Sequence, residues 1–466
     1  MQKQIRKRIA VLMADLQSEY HRRTISGIIQ QAHALQDDVL TFTFFSNRDV
    51  DTPFQVGEEN IFQLIPWQEI DGVIVLSHSF CKPSVRKMVT DFCRQSKLPY
   101  LLDAEEECSD ETKLFWNDRR SFQMLVQHLI EVHDHQKIAC LTGLPGCFQS
   151  EERLLGYRDA LQAHGIPLRP EWECYGDFQR ASGQAFANRI VRGELERPDA
   201  IACANAAMAL GVIDTLMQHG ISVPEDIAVV SYDSYSANAI HTPSVTAMSD
   251  ENFNYGVSCM CRLYQKMTGT ECTSIPLHPI QLELGESCGC KDADSKLMQW
   301  YKNMLQQQQY YLDLLQNCNM AQTLSSQETL TDFLRTLDSF RYVIQGVEDV
   351  YICINEDWED SSNLEDSVYR VHGYAEMMYV HHLDDKHPSG QYQLLSMNTL
   401  LAMIFRQSGS SSFYFLPLHF AERCFGYLSV SFTKEQIAFD KLFRIWVEHI
   451  STSLEAMRRR NDVQRL

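Results

Sequence analysis

Short apolar runs recur along the first 285 residues, and stretches with helical spacing separate them. Residues 8–13 (RIAVLM) and 70–76 (IDGVIVL) are nearly continuous apolar runs, the pattern of a strand buried on both faces. Between such runs, as in residues 21–35, apolar side chains recur at helical spacing. Repeated strand–helix units of this kind predict parallel sheets with helices on both faces.

The alternation forms two series, and we expect one sheet from each. Strands of the first series are predicted at 8–13, 39–45, 70–76 and 99–102, and those of the second at 137–142, 200–203 and 227–232. Later strands at 245–248 and 280–284 are predicted to cross back to the first sheet. The prediction is an α/β protein of two lobes within residues 1–290: about 8–117 with 249–285, and 118–248.

A long helix is predicted next, within a linker at 291–330. Residues 292–322 contain no Gly or Pro, and seven positions step alternately by four and three, which is a heptad seam. These positions are Leu297, Tyr301, Met304, Gln308, Tyr311, Leu315 and Cys318. The polar outer face favours a parallel coiled coil between two subunits over one helix packed on its own protein.

The chain beyond this helix has a different pattern. Residues 349–355, 391–395, 412–417 and 423–432 are typical of antiparallel strands flanked by helices. We therefore predict a smaller α+β domain at 331–434. A second heptad pattern predicts a C-terminal helix at 435–466.

Composition and charge limit the kind of protein. The chain has 466 residues, a net charge of −20 and 15 cysteines. This acidic balance argues against direct nucleic-acid binding, which needs Lys/Arg clusters. There is no signal-peptide pattern and no apolar run long enough for a bilayer. The expectation is a cytoplasmic protein with reduced thiols and no membrane contact.

No common enzyme motif is present. The sequence lacks Gly-x-Gly, a Walker A loop, HExxH and GxSxG. The pairs Cys259-Met-Cys261 and Cys288-Gly-Cys290 are predicted to be free cysteines rather than metal ligands. A group of His and Asp side chains is predicted to lie in a solvated loop, and comprises His381, His382, Asp384, Asp385 and His387. No catalytic residue, metal or cofactor is predicted.

Four segments in order resemble the effector-binding domain of LacI/GalR-type regulators. They are RIAVLMADLQSEYHRRTISG from residue 8, SEERLLGYRDALQAHG from 150, PDAIACANAAMAL from 198 and VPEDIAVVSYDSYSANAIHTP from 223. The resemblance implies a two-lobed periplasmic-binding-protein-like fold of type I. It also implies a small-molecule ligand, a sugar or related metabolite, held between the lobes.

Candidate ligand-binding residues follow the predicted strands, because ligands of open parallel sheets bind at the carboxyl ends of the strands. The candidates are Asp15, Tyr20, His21, Asn47, Ser77, His78, Arg153, Phe178, Asn205, Asp233 and Asp250. The resemblance implies that Arg153 and Asp233 are the main hydrogen-bonding pair, with Asn205 beside them and Phe178 as a stacking ring. Ala206 and Asp250 depart from the family pattern, which leaves the ligand class open.

The segments after residue 285 resemble the exit of LacI-like sensors with a C-terminal output. In that resemblance residues 331–434 are a GAF/PAS-like domain, and residues 435–466 are a signalling helix that precedes a GGDEF diguanylate cyclase beyond residue 466. The chain is then a non-enzymatic, homodimeric sensor. Two alternatives stay open: a transcriptional regulator of LacI/AraC type, and a ligand-free dimerisation scaffold.

Overall fold

The computed structural model divides the chain into two compact units. It describes residues 6–45, 51–103, 118–235, 238, 241–249, 252–290, 296–344, 346–359, 374–384, 386, 388–405, 409–432 and 441–465. The first unit comprises residues 1–107, 252–277 and 308–466, and the second comprises 108–251 and 278–307.

Strands and helices alternate in the first half of the chain, as predicted. The strands are β1 Arg8–Leu12, β2 Asp38–Phe42, β3 Gly72–Val75, β4 Tyr100–Leu102, β5 Ile138–Thr142, β6 Glu173–Tyr175, β7 Ala200–Cys203, β8 Ala228–Asp233, β9 Thr246–Met248 and β10 Leu282–Glu283. The helices are α1 Glu19–Ala34, α2 Pro53–Glu59, α3 Pro83–Ser96, α4 Asp118–Glu131, α5 Phe148–Ala163, α6 Arg180–Val191, α7 Ala206–Gln218 and α8 Asn252–Thr268.

Antiparallel strands and longer helices make up the second half. The strands are β11 Val347–Asn355, β12 Met377–His382, β13 Gln393–Ser396, β14 Ser412–Phe420 and β15 Arg423–Phe432. The helices are α9 Lys296–Ser325, α10 Leu330–Ser339, α11 Met397–Ile404 and α12 Lys441–Arg465.

The second unit is built on one sheet with the strand order β10-β9-β8-β7-β5-β6. Its strands are parallel from β9 to β6, and β10 pairs antiparallel with β9. The predicted crossover of residues 245–248 and 280–284 to the first sheet is therefore wrong. Instead the intervening helix α8 belongs to the first unit. Strand character can be read from local sequence, but the choice of sheet depends on contacts that local sequence does not show.

The first unit contains a sheet with the order β13-β12-β11-β15-β14-β2-β1-β3-β4. Strands β14, β2, β1, β3 and β4 are mutually parallel, and the remaining pairs are antiparallel. The junction is the pairing of β2 with β14, from Val39 opposite Ser412 to Phe42 opposite Phe415. Strands β11 to β15, in the region that the sequence assigned to a separate domain, thus continue the N-terminal sheet.

The junction is also part of the apolar core. The rings of Phe42 and Phe415 stack with centroids 4.8 Å apart, and both side chains are fully buried. One apolar cluster contains side chains from β1, β2, β11, β14 and α11. The GAF/PAS-like assignment for residues 331–434 stays a prediction.

Helices α1 and α8 of the first unit pack with their backbones unusually close. A Cβ added at Gly27 would lie 2.0 Å from the carbonyl oxygen of Phe253, and one added at Gly256 would lie 1.9 Å from that of Thr24. Both distances are far inside van der Waals contact, so the crossing requires glycine on each helix.

The long helix α9 contributes to the core at its C-terminal end. Asn317, Met320 and Leu324 are buried, and the Asn317 carbonyl lies 3.1 Å from His449 Nδ1 of α12. Tyr311 and Leu315, two positions of the heptad seam, are 65% and 61% exposed. The predicted coiled coil between subunits stays a prediction.

The predicted solvated loop around His381 is wrong for the residues that the structure describes. His381 and His382 end strand β12, in which Met378 and Val380 are buried. His381 is 2% exposed, and its Nε2 lies 2.7 Å from a carboxylate oxygen of Asp338. The alternation of buried and exposed positions in β12 is hard to see in the sequence, because polar residues follow the strand directly. Asp385 and His387 lie outside the described residues.

Candidate functional site

Polar side chains of the second unit gather at the carboxyl ends of its parallel strands. Arg153 lies on α5, which follows β5, and Asp233 is the last residue of β8. Phe178 follows β6, and Asn205 follows β7. The structure therefore places all four predicted residues at one edge of the sheet, where parallel α/β sheets bind ligands.

Arg153 is the centre of this group. Its side chain is nearly fully buried, and its Nε donates a hydrogen bond to Asp118 Oδ1 at 3.1 Å. Its Nη1 donates to the carbonyl oxygen of Ala204 at 2.6 Å. The guanidinium also lies 3.8 Å from the ring centroid of Tyr232 and 5.9 Å from that of Phe178. A buried cation held on a carboxylate and between two rings has a fixed orientation.

Asp118 is the partner that the sequence analysis missed. It is the first residue of α4 and is 1% exposed. Its Oδ1 accepts the bond from Arg153, whereas its Oδ2 is buried and has no hydrogen-bond partner among the described residues. An unsatisfied buried carboxylate oxygen is costly, which makes this atom a candidate acceptor for a ligand hydroxyl.

Asn205 is hydrogen-bonded to the backbone of Phe178. Asn205 caps α7, because its Oδ1 accepts the N–H of Met208 at 3.0 Å, and its Nδ2 donates to the Phe178 carbonyl at 2.7 Å. Phe178 has a φ of 63° and its ring covers Gly143, where any Cβ would clash. Through these contacts Asn205 positions the Phe178 loop, and its direct contact with a ligand stays a prediction.

Asp233 is buried at the end of β8. Its backbone carbonyl accepts hydrogen bonds from Ser231 Oγ at 3.1 Å and from Asn238 Nδ2 at 2.6 Å. The side chain is 7% exposed. The loop after β8 is therefore held by hydrogen bonds to the backbone carbonyl of Asp233.

The first unit has its own group of polar side chains after β1, β3 and β4. His78 Nδ1 forms an ion pair with the fully buried Asp103 carboxylate, and the Ser77 N–H donates to the same carboxylate at 2.6 Å. The ring of Tyr255 lies 6.2 Å from that of His78, and its hydroxyl reaches the Asp103 carbonyl at 3.5 Å. Asp103 and Tyr255 were not predicted from the sequence.

Asp15, Tyr20 and His21 lie beside this ion pair. The ring of Tyr20 meets those of His21 and His78 edge-on, at 5.2 and 5.1 Å. Burial raises the pKa of Asp15 to about 6, and burial together with the nearby His78 lowers the pKa of His21 to about 3. His21 is therefore neutral at pH 7, and can both donate and accept a hydrogen bond.

Two predicted residues, Asn47 and Asp250, lie outside the described residues. Asp118 carries no local signal, because its partner Arg153 lies 35 positions away. Asp103 directly follows the strand predicted at 99–102, and that position could have identified it. Separately, His128, His133, Cys288 and Cys290 of the second unit bring their ligand atoms within 4.8 Å of one another.

Among the described residues, no helix combines the length and apolar character needed to cross a lipid bilayer. This finding concerns the helices of the structure.

Comparisons with known proteins found similarity over part of the chain. Residues 126–288 match the family model described as a periplasmic binding protein-like domain. The HTH-type transcriptional repressor PurR of Aliivibrio fischeri strain MJ11 is 27% identical over 212 residues, which is 45% of this chain and 61% of that repressor. PurR of Vibrio parahaemolyticus is 26% identical over 215 residues, or 46% and 63% of the two chains. The chain thus spans less than two thirds of these relatives.

Solved structures of regulators are also similar. The transcriptional regulator CelR in complex with cellobiose has a TM-score of 0.49 and 23% identity, over 60% of this chain and 85% of that one. A sugar-binding LacI-family regulator from Escherichia coli, complexed with phosphate, has a TM-score of 0.46 and 19% identity, over 60% and 97%. The family match, together with the PurR similarity, confirms the predicted periplasmic-binding-protein-like fold for residues 126–288.

Proposed function

We propose that this protein senses a small polar metabolite and regulates gene expression in response. The observation that carries the proposal is the buried Arg153–Asp118 pair, set against Tyr232 and Phe178 at the carboxyl ends of parallel strands. The match of residues 126–288 to a periplasmic binding protein-like domain supports ligand binding by this part of the chain.

The chemistry of the group favours a ligand with several hydroxyl groups, such as a sugar or related metabolite. A guanidinium donates and a carboxylate accepts, so Arg153 and Asp118 Oδ2 together suit a hydroxyl that does both. The half-buried ring of Phe178 offers a flat apolar surface for the face of a sugar ring. Asp233 is the second acceptor in this proposal.

The polar group of the first unit is the second candidate contact region. Neutral His21, with Tyr20 and the His78–Asp103 pair, supplies both donors and acceptors. We expect variants of these residues to weaken ligand binding by this unit.

Calorimetry of the whole chain against sugars, sugar acids, nucleosides and polyols tests ligand binding. Arg153→Ala removes the central cation, and Arg158→Ala on the same helix is the matched control, since Arg158 pairs with Glu173 at the partly exposed surface. We expect binding by wild type and Arg158→Ala, and its loss in Arg153→Ala. No binding across the panel, or equal loss in both variants, would contradict the proposal and favour the ligand-free scaffold.

For the output, the similarity to PurR repressors favours transcriptional regulation over diguanylate cyclase signalling. Deletion of the gene, with and without the identified ligand, should change the transcription of a small set of genes while the cellular level of cyclic di-GMP stays constant. A change in cyclic di-GMP without that transcriptional response would favour the cyclase alternative instead.

The proposed regulator is a homodimer. Tyr311, Leu315 and Cys318 form an exposed stripe along α9, with the first two 65% and 61% exposed. A second copy of α9 would cover these side chains at the heptad spacing of a coiled coil. The proposed role of the helix is to pass a ligand-dependent change to the rest of the regulator.

A further inference from the structure

Two histidines and two cysteines converge in the second unit, away from the candidate ligand site. His128 Nε2 lies 3.4 Å from Cys288 Sγ and 3.6 Å from Cys290 Sγ, and His133 Nε2 lies 3.4 Å from Cys290 Sγ. The four ligand atoms all lie within 4.8 Å of one another. Cys288 and His128 are buried, and Cys290 and His133 are half-buried.

The local backbone explains why the four side chains face one point. His128 is in the last turn of α4, and His133 follows the helix in the turn after it, a spacing found in zinc sites. Cys288 ends a single 3-10 turn, and Gly289 has a φ of 103°. This left-handed conformation, which favours glycine, turns the chain so that Cys290 faces the same side as Cys288.

Hydrogen bonds alone do not account for this arrangement. The Nε2 atom of a neutral imidazole either accepts one hydrogen bond or donates one, according to the tautomer. His128 Nε2, however, lies at similar distances from both sulfur atoms. A chain of hydrogen bonds would link the groups in pairs, whereas a central ion would draw all four towards one point.

The distances fit one tetrahedral ion. With zinc–sulfur bonds of about 2.3 Å and zinc–nitrogen bonds of about 2.0–2.1 Å, a sulfur and a nitrogen on the same ion lie about 3.5–3.6 Å apart. Three of the four sulfur–nitrogen distances here are 3.4, 3.6 and 3.4 Å, and the fourth is at most 4.8 Å. A cluster with two irons would place thiolates and imidazoles on different irons and thus farther apart.

We propose that His128, His133, Cys288 and Cys290 bind one structural zinc ion. Two thiolates and two imidazoles in a tetrahedron are a donor set that zinc prefers, and four protein ligands leave no open position for catalysis. Both thiols lose their protons on binding, so the four ligands and the ion together carry no net charge. This neutrality suits a partly buried site.

The surroundings include a group that would stabilise a bound thiolate. Thr246 Oγ1 lies 2.9 Å from Cys288 Sγ and 3.0 Å from the Gly285 carbonyl, and it accepts the Gly285 N–H at 2.8 Å. When Cys288 is a thiolate, the Thr246 hydroxyl can donate to it. Loss of such an outer-shell contact typically weakens metal binding by roughly 10- to 100-fold.

A zinc ion here would connect the end of α4 to the segment that leads into α9. Cys290 precedes the first residue of α9, Lys296, by a short segment. Without the ion, the turn at 286–290 is attached by hydrogen bonds of Glu286 and Ser287 to Val229, Ser244 and Thr246. Zinc would thus hold the segment at the N-terminal end of α9, the helix that we propose transmits the signal.

Metal analysis of the whole chain, purified without chelators, is the first test. We expect one zinc per chain in wild type, and loss to background in the double variant Cys288→Ser/Cys290→Ser. The double variant Cys261→Ser/Cys272→Ser, which alters a cysteine pair in the first unit, should retain the zinc. His133→Gln should lose it, whereas His135→Gln, two residues away, should not.

Cobalt titration of chelator-treated wild-type protein gives a readout that does not depend on any variant folding. One equivalent should produce the intense visible bands of tetrahedral cobalt together with a thiolate charge-transfer band, and zinc should abolish both. Thr246→Val should retain these spectra and bind about 10- to 100-fold more weakly.

Three results would overturn the proposal. They are the absence of tetrahedral thiolate-bound cobalt in wild type, retention of stoichiometric zinc in the Cys288→Ser/Cys290→Ser variant, and equal zinc loss in His133→Gln and His135→Gln. Circular dichroism of each variant establishes that a lost metal does not reflect a lost fold.

Discussion

Removal of the Asp118 carboxylate should destabilise the second unit through the charge that it leaves behind. Asp118 is 1% exposed and Arg153 is 4% exposed, so neither charge can be solvated without local opening. Loss of one partner of a buried pair typically costs about 3–5 kcal/mol. Arg153 keeps its bond to the Ala204 carbonyl and its contact with the Tyr232 ring. We therefore expect Asp118→Leu to cost about 3 kcal/mol, at the lower end of that range.

The double variant separates this charge effect from ordinary loss of packing. Asp118→Leu/Arg153→Met replaces both charges by apolar side chains, and such replacements of buried pairs are often close to neutral. The double variant should thus be more stable than either single variant, with a coupling energy of at least about 2 kcal/mol.

Hydrogen exchange of peptides from β5 and β7, read by mass spectrometry, measures the opening of this unit without assuming two-state unfolding of the whole chain. A cost of 3 kcal/mol corresponds to roughly 100-fold faster exchange. If the two single-variant effects add within about 0.5 kcal/mol in the double variant, the pair is not electrostatically coupled and the reasoning fails.

Three further predictions concern the first unit. Gly256→Ala places a Cβ 1.9 Å from a backbone oxygen of α1 and should lower the free energy of unfolding in urea by about 1–3 kcal/mol. Gly409→Ala, whose added Cβ meets no described atom within 4 Å, should leave it unchanged. Equal costs of the two substitutions would refute the close crossing of α1 and α8. Burial lowers the pKa of His21 to about 3, so the unfolded chain protonates first and stability should fall as the pH drops from about 6.5 to 3. The test uses an Asp15→Asn background, because that substitution removes the opposing effect of the raised Asp15 pKa. In this background His21→Gln should reduce the dependence of stability on pH. An unchanged pH dependence would contradict a buried neutral histidine. Mild oxidation should cross-link two chains through Cys318, which is exposed on α9; a cross-link that persists in Cys318→Ser, or none at all, would contradict the parallel coiled coil.

The parallel strands could be predicted because the burial of each strand is visible in its own local sequence. A strand covered on both faces needs a continuous apolar run, and β1, β3 and β5 have one. The positions of Arg153 and Asp233 followed from the strands that precede them. In each case the informative residues are neighbours in sequence.

Features that depend on distant partners could not be predicted in this way. Arg153 pairs with Asp118, 35 positions away, and His128 meets Cys288, 160 positions away. Neither spacing repeats a known motif, so neither the Asp118 partner nor the contact of His128 with Cys288 was predicted. The same limit explains why the strands of residues 331–434 were assigned to a sheet of their own.

The pairing of β2 with β14 has a consequence for how the protein is made. Val39 and Ser412 lie side by side, yet at roughly 5–20 residues per second about 20–70 s of synthesis separate them on the ribosome. During that interval the apolar strand β2 has one unpaired edge, and such edges recruit other strands and promote aggregation. A fragment that stops near residue 290 retains this open edge permanently. Fragments for expression should therefore keep β14, even where only ligand binding is of interest.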